Sequence, residues 1–124
     1  MTTDGVIAGL LLLAAVIHLV PVVGVLSSSR VSALYDVTLE GPDLAVLMRH
    51  RALLFGVLGG VLVVGALDEP VRTTALVAAL VSDVGYAVLC LAERGHNAAL
   101  RRVLVGDLVS IAALVAAGVL ALTN

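Results

Sequence analysis

The chain has 124 residues, of which 61% are hydrophobic and 13% charged, and its formal net charge is −2. Soluble domains carry about 25% charged residues, so this composition, with a mean hydropathy of +1.19, predicts a membrane protein. The small net charge excludes nucleic acid as a partner, and the single cysteine, Cys90, excludes an internal disulfide. No zinc-type spacing, P-loop or G-x-S-x-G elbow occurs, so no metal site is predicted.

Four continuous apolar segments, called spans one to four, account for nearly the whole chain. They cover residues 5–26, 42–67, 71–92 and 97–122. Each is near or above the ~20 residues that a helix needs to cross ~30 Å of hydrocarbon. The segments show no alternation of apolar and polar residues, which excludes a closed barrel. We predict an all-α fold in which residues 1–124 form a single transmembrane domain, a bundle of four transmembrane helices.

Span one follows Met-Thr-Thr-Asp, which carries no basic residue, and we expect it to be retained rather than cleaved as a signal peptide. It places His18 ~20 Å from its start. Pro21 has no N–H to donate, so the Ile17 carbonyl beside His18 is expected to lack its helical hydrogen bond.

The connection after span one, residues 27–41, is the longest. It is expected to hold one or two helical turns at the membrane interface, capped by Ser28 or Ser29. The side chains expected on the membrane-facing side of these turns are Val31, Leu34 and Tyr35.

Span two begins at Pro42, a residue that suits the first turn of a helix. Arg49, His50 and Arg51 follow ~10–14 Å into the span. Three consecutive side chains point in three directions, so at least one of them must face the bundle. Gly56-x-x-x-Gly60 on the stripe of Arg49 predicts close helix packing there.

Spans three and four carry aspartates deep in apolar sequence. Asp83 lies near the middle of span three with Tyr86 on the same face, and Asp107 lies ~15 Å into span four. An aspartate at the bilayer centre costs roughly 2.5–3.5 kcal/mol on insertion scales, so such residues usually face a partner or a water-filled cavity. Arg101 and Arg102 stand nearer the start of span four, where arginines often only anchor a helix at the interface.

Arginine distribution predicts the orientation. The chain has no lysine, and in a four-span protein the first and third loops share a side. Arg72 alone lies on the other side. The arginines in or near the first and third loops are Arg30, Arg49, Arg51, Arg94, Arg101 and Arg102. The positive-inside rule then places these loops in the cytoplasm and both termini outside a cell membrane that the chain crosses several times.

The polar side chains of all four spans therefore converge on one level in the cytoplasmic half. We predict a polar intramembrane pocket there that binds a small amphiphile with an anionic or carbonyl-bearing head group. Acid–base chemistry is assigned to His18, His50 and Asp83. The predicted ligand-binding residues are Arg49, Arg51, Tyr86, Arg101 and Asp107. For each aspartate the alternative is a structural ion pair with an arginine, and for His18 it is a hydrogen bond to a backbone carbonyl.

Three stretches carry a resemblance: Ile17-His-Leu-Val-Pro21, the run from Pro42 through Met-Arg-His-Arg-Ala-Leu-Leu-Phe to Gly56, and Gly95-His-Asn-Ala-Ala-Leu-Arg-Arg-Val103. Over essentially its full length the chain resembles a family of small, uncharacterised bacterial four-span membrane proteins. The resemblance implies the four-span fold and the positions of these motifs. Members are sometimes given the name phosphopantetheine adenylyltransferase, but the His-x-Gly-His motif of that soluble enzyme is absent.

Two other functions are consistent with the sequence. Its length and four spans are similar to small multidrug-resistance exporters, which predicts an oligomeric proton-coupled transporter, although span one has no glutamate and only 2% of residues are aromatic. An accessory subunit, or a homo-oligomer, would instead pack through small-residue faces. These faces are Gly5 with Gly9 and Ala112 with Ala116. The sequence leaves open whether the protein is an enzyme and whether it uses a cofactor.

Overall fold

A computed structural model describes residues 2–124, which are almost entirely helical. In chain order the elements are α1 (Thr3–Leu19), a 3-10 helix (Val20–Val25), α2 (Ser28–Tyr35), α3 (Gly41–Leu67), α4 (Glu69–Ala92) and α5 (Ala98–Thr123). Four segments are long and apolar enough to cross a membrane: α1 with the 3-10 helix, α3, α4 and α5. The described residues contain no strand, so the all-α prediction with four spans is confirmed.

The four long helices form an up-and-down bundle. α1 packs against α3 and α5, and α4 packs against the same two helices. The helices therefore stand at the corners of a square in which α1 is diagonal to α4 and all neighbours are antiparallel. We call the end with α2 and the α4–α5 connection the arginine end, and the opposite end, with both chain termini, the terminal end.

Short polar residues set the helix starts. The side chain of Thr2 accepts a hydrogen bond from the Gly5 N–H (3.0 Å), and that of Asn97 accepts one from the Leu100 N–H (2.9 Å). Such caps satisfy one of the four N–H groups that the first turn leaves without a helical partner. Asp68 alone separates α3 from α4, so these two helices pack as a tight hairpin.

Pro21 changes the geometry of span one rather than ending it. The α-helix stops at Leu19 and the chain continues as a 3-10 helix to Val25. A proline cannot donate the helical hydrogen bond to the carbonyl four residues earlier, and a tighter turn relieves the clash of its ring with that carbonyl.

The short helix predicted after span one is present as α2, with two differences. Ser27 caps it instead of Ser28 or Ser29, since the Ser27 hydroxyl accepts from the Arg30 N–H (3.3 Å). Val31 and Tyr35 were expected to face the membrane, yet they are buried against the bundle, at 1% and 3% exposure. The prediction of their orientation was wrong because α2 lies on the 3-10 helix and α3 and not along the lipid surface.

The buried interior is polar at one level and apolar from there to the terminal end. Between the level of the buried polar side chains and the terminal end it is a packed apolar core. Its members are Ile7, Leu11, Ala14, Ala15, Leu62, Ala66, Ala75, Leu76, Ala79, Leu114 and Ala117. Besides Tyr35, the polar side chains that are buried among residues 2–124 are His18, Asp83, Asp107 and Ser110. No polar path therefore continues through the described core to the terminal end.

Close helix packing on α3 occurs at glycines other than those predicted. A Cβ added at Gly59 would lie 2.7 Å from Leu19 Cδ2, and one at Gly65 would lie 2.8 Å from Ala75 Cβ. Gly60 has no heavy atom within 4 Å of that position, nor has Gly9 on α1. Within the bundle, the tight contact predicted at Gly60 was therefore wrong, although Gly56 does lie near Val22, at 3.3 Å.

Gly65→Ala is expected to lower the free energy of unfolding by about 1–3 kcal/mol, the usual range for overpacking a core. The new Cβ would meet Ala75 Cβ and, at 3.4 Å, Arg72 Cα, and neither atom can rotate away. Gly60→Ala is the matched control on the same helix, and its open surroundings predict no loss and a gain of at most ~1 kcal/mol. Denaturant unfolding of both variants in detergent micelles measures the difference; equal stabilities would contradict the close contact.

Candidate functional site

The polar residues meet at one level of the bundle. Counting 1.5 Å per residue from the arginine end, Arg51 lies ~15 Å along α3, and Asp83 and Asp107 each lie ~14 Å along α4 and α5. His18 reaches the same level from α1, because its side chain contacts Asp83 directly. Four helices therefore contribute to a common polar layer.

His18 and Asp83 form a fully buried pair on the bundle axis. His18 Nε2 lies 2.7 Å from Asp83 Oδ1, and His18 Nδ1 lies 2.7 Å from the Ala14 carbonyl oxygen. The side chains are 0% exposed. This contact joins α1 to α4 across the diagonal of the square, so it links two long helices that are not neighbours in the bundle.

Proton positions in this pair follow from hydrogen-bond chemistry. A carbonyl oxygen only accepts, so His18 Nδ1 must carry a hydrogen. One further proton lies between Nε2 and Oδ1, either on the histidine as an ion pair or on the aspartate as a neutral pair. In both arrangements the pair has no net charge, which is the state that burial in a low-dielectric core favours.

Two buried polar atoms beside this pair lack partners. Asp83 Oδ2 and Ser110 Oγ make no hydrogen bond to any residue in the described part of the chain. An unsatisfied buried polar group typically costs about 1–3 kcal/mol, so such atoms usually mark a bound water or a functional site. Ser110 was not among the site residues predicted from the sequence. Its spacing of three residues from Asp107 places both on one face of α5, and this spacing was the sequence feature that could have indicated it.

Arg51 is surrounded by every aromatic ring that the chain contains, one phenylalanine and two tyrosines. Its Cζ atom lies 4.7 Å from the ring centroid of Phe55, 5.0 Å from that of Tyr35 and 5.8 Å from that of Tyr86. Arg51 Nη1 also donates a hydrogen bond to the Tyr35 hydroxyl (2.6 Å). Cation–π contacts are worth roughly 0.5–2 kcal/mol each, so this cluster fixes the guanidinium within the bundle.

The Arg51 charge nevertheless has no anionic partner. Among residues 2–124, the ion pairs within 4.0 Å are His18 with Asp83 and Arg72 with Asp4, and neither includes Arg51. Rings attract a cation over its faces but do not neutralise it. The alternative that each intramembrane aspartate balances an arginine in a direct ion pair is therefore not what the bundle contains.

Arg49 and His50, which were predicted as the head-group cation and a catalytic base, lie away from this layer. Both are exposed on the outer surface of α3. Arg49 Nε donates to the Val25 carbonyl (2.9 Å) at the end of the 3-10 helix, and His50 lines a shallow groove with Val46 and Leu53. Of the three consecutive polar residues, the helix turns only Arg51 into the bundle, so the structure does not bring Arg49 and His50 together with the other predicted site residues, and their roles stay predictions.

The remaining predicted residues divide between the layer and the surface. Asp107 is 5% exposed and lines a cavity together with His18. Tyr86 contacts Arg51, and its hydroxyl donates to the Leu100 carbonyl (3.1 Å). Arg101 is exposed on α5, whereas its neighbour Arg102 lines the cavity of Asp107.

Two clefts meet at Arg51 and Tyr86. The first, of about 430 Å³, lies between α3 and α4. Its walls also include Leu54, Phe55, Leu58, Val81, Ser82, Gly85 and Leu89. The second, of about 390 Å³, lies beneath the segment that joins α2 to α3. Its walls also include Tyr35, Val37, Thr38, Leu39, Leu44, Met48, Leu89 and Leu100.

A third cavity, of about 270 Å³, lies on the other side of Phe55. Its walls come from α1, the 3-10 helix, α2, α3 and α5. Its polar residues are His18, Arg102 and Asp107. Phe55 lines both this cavity and the α3–α4 cleft, and its ring centroid lies 6.0 Å from that of His18. The phenylalanine ring thus separates the arginine site from the histidine site.

Asn97 fastens the connections at the arginine end. Besides capping α5, its side-chain amide donates to the carbonyl oxygens of Tyr35 (3.0 Å) and Asp36 (2.8 Å). Asp36 ends α2 in the left-handed conformation, with φ of 50°. One side chain thereby holds the end of α2 against the start of α5 and keeps Tyr35 beside Arg51.

Comparisons with protein-family models, with curated proteins and with solved structures found no match to this chain. The proposed function therefore rests on the geometry of the polar layer and of the clefts beside it.

Proposed function

We propose that the protein is an integral membrane protein that binds a small amphiphile with an anionic or carbonyl-bearing head group at Arg51. The supporting observation is a half-buried guanidinium with no anionic partner among the described residues, placed where two clefts meet. A cation held in apolar surroundings favours a ligand that supplies negative charge or strong acceptors. The aromatic rings fix the faces of the guanidinium and Tyr35 takes one of its five N–H groups, which leaves other edge donors for a head group.

The apolar tail is proposed to lie in the α3–α4 cleft. Leu54, Val81 and Leu89 on its walls are 52%, 69% and 63% exposed, so the cleft opens sideways to the surface that lipid covers. A ligand can then reach Arg51 from the bilayer without crossing an aqueous compartment. By the positive-inside rule the arginine end is placed in the cytoplasm, and the ligand enters from the inner leaflet.

Binding, and not conversion, is the activity that the geometry favours. The side chains of the acid–base pair His18–Asp83 are fully buried, and neither residue lines a cleft at Arg51. A general acid or base must come within hydrogen-bond reach of the atom that it serves, directly or through one water. The proposed head-group position and the buried pair do not meet this condition in the present conformation.

The proposal is tested with three fluorescent long-chain probes that share one tail and end in a carboxylate, a methyl ketone or an alcohol. We expect Arg51→Gln to weaken binding of the carboxylate by about 10- to 100-fold, because a hydrogen bond to a charged group contributes roughly 1.5–3 kcal/mol. Binding of the ketone should weaken less and that of the alcohol least. Titrations of the full chain in detergent micelles measure all three affinities.

Arg49→Gln is the matched control, since Arg49 stands two residues away on the same helix but is exposed and bonded to the Val25 carbonyl. Its carboxylate affinity should stay close to that of the unmodified protein. Equal losses in the two variants, or equal losses for the acid and the alcohol, would show that Arg51 does not recognise a head group.

A further inference from the structure

The cavity between α1, α2 and α5 has a chemistry different from that of the amphiphile clefts. It ends on two titratable side chains, His18 and Asp107. Asp107 is close enough to both His18 and Asp83 for their charges to interact. Phe55 lines both this cavity and the α3–α4 cleft at Arg51, so the second site is a separate space from the proposed binding site.

Two buried polar atoms belong to neighbours of the polar residues in this cavity, although they do not line it themselves. Asp83 is hydrogen-bonded to His18, Ser110 follows Asp107 by three residues on α5, and Asp83 Oδ2 and Ser110 Oγ have no partner among the described residues. The cavity has a volume of about 270 Å³ and mainly apolar walls, and its three polar residues, His18, Arg102 and Asp107, are the groups that can hold water in it. Water in this cavity would connect Asp107 to the surroundings of Arg102 at the arginine end.

We propose that Asp107 and the His18–Asp83 pair form a proton-binding site that exchanges protons only with the arginine end. A hydronium ion in the cavity transfers its proton to the Asp107 carboxylate and leaves as water, so that one O–H bond breaks and another forms. The pair already shares one proton between Nε2 and Oδ1. The free lone pairs of Asp83 Oδ2 are therefore the position that takes a proton passed on from Asp107.

Charged and titratable groups around Asp107 come from four helices. Arg51 on α3, His18 on α1 and Asp83 on α4 are near enough for their charges to interact with it. Tyr86 on α4 faces the same region, and Arg102 on α5 lines the cavity. The 3-10 helix and α2 contribute only apolar walls, through Val20, Pro21 and Leu34.

Access from the terminal end is blocked by the apolar core. Between the polar layer and the terminal end, the described interior is filled by side chains such as Leu11, Leu62 and Leu114, each 0% exposed. Protein interiors are packed nearly as densely as organic crystals, and apolar cavities stay dry. A proton that enters from the arginine end must therefore leave by the same end.

The test uses the full chain in lipid vesicles and follows the infrared band of a protonated carboxylic acid. External pH is lowered while the lumen stays buffered, and a protonophore is added later. External trypsin, which cuts after exposed arginines such as Arg30 and Arg94, gives the fraction of molecules with the arginine end outward. We expect the band to appear first in that fraction and in the remainder only after the protonophore equilibrates the lumen.

Variants show which carboxyl group gives rise to the infrared band. Asp107→Asn should remove part of the band, and Asp107→Glu should retain that part at a shifted frequency, which keeps the test valid if the asparagine variant folds poorly. Asp4→Asn is the control, because Asp4 pairs with Arg72 at the terminal end. A band unaffected by both Asp107 variants, no band at all, or a full response without protonophore would each overturn the proposal.

Discussion

His18→Leu is expected to lower the free energy of unfolding by about 3–5 kcal/mol, the range measured when one partner of a buried polar pair is removed. The substitution leaves Asp83 fully buried with both carboxylate oxygens unpartnered, since Oδ1 has His18 as its partner and Oδ2 has none within the described chain. Asp83 must then take up a proton to lose its charge, and the acid still lacks hydrogen-bond partners.

Asp83→Leu is expected to cost less, about 1–3 kcal/mol. His18 can release its extra proton and become neutral while its Nδ1–H continues to donate to Ala14, so the remaining cost is that of one unpartnered ring nitrogen. The double variant should recover most of the loss, because replacing a buried pair by apolar residues is often neutral. Denaturant unfolding in micelles measures the free energies of unfolding of the two single variants and the double variant. A double variant less stable than His18→Leu would contradict this account of the pair.

The positions of the spans were predictable because the membrane itself imposes them. A helix that crosses ~30 Å of hydrocarbon needs ~20 apolar residues, and α3, α4 and α5 begin and end within about two residues of the predicted spans. Local chemistry was also readable. The 3-10 helix begins beside Pro21, and the cap of α5 is Asn97, a residue type that commonly caps helices.

Which side of each helix faces inward was much less predictable. In a soluble helix the apolar stripe marks the core, but in a membrane both the lipid and the interior are apolar. The sequence around Arg49, His50 and Arg51 therefore has no period that singles out Arg51, the one of the three that lies in the polar layer. Glycine spacing has the same weakness, since Gly59 and not Gly60 meets the neighbouring helix.

Contacts between elements distant in sequence needed the order of the helices in the bundle. His18 and Asp83 were both recognised as deep polar residues, but their pairing depends on α1 lying diagonal to α4. Tyr35 was assigned to the lipid because nothing local shows that Asn97 draws the end of α2 towards α5. Of the three rings around Arg51, Phe55 lies four residues along the same helix, whereas Tyr35 and Tyr86 come from α2 and α4, so their contacts depend on the arrangement of the helices.

Phe55→Ala is expected to have the second largest effect on stability, about 2–4 kcal/mol. A buried phenylalanine truncated to alanine costs about 3–5 kcal/mol, and Phe55 is partly exposed, which lowers the expected loss. The variant also loses the closest ring contact of Arg51. Leu53→Ala is the matched control, because Leu53 is 48% exposed and stands on the outer side of α3, and it should cost well under 1 kcal/mol.

The same substitution should join two sites that the native protein keeps apart. Without the ring, the α3–α4 cleft at Arg51 and the cavity at His18 share an opening where Phe55 now lines both. In the native protein, the carboxylate probe should change the infrared band of Asp107 only slightly, since Arg51 and Asp107 are near enough for their charges to interact. In Phe55→Ala the same probe should change that band more, because its head group can then enter the opened space and come closer to Asp107. Phe55→Leu, which keeps most of the side-chain volume, should behave like the native protein. An identical response in all three proteins would mean that the ring is not the barrier, and that head-group binding and proton binding are separated by distance alone.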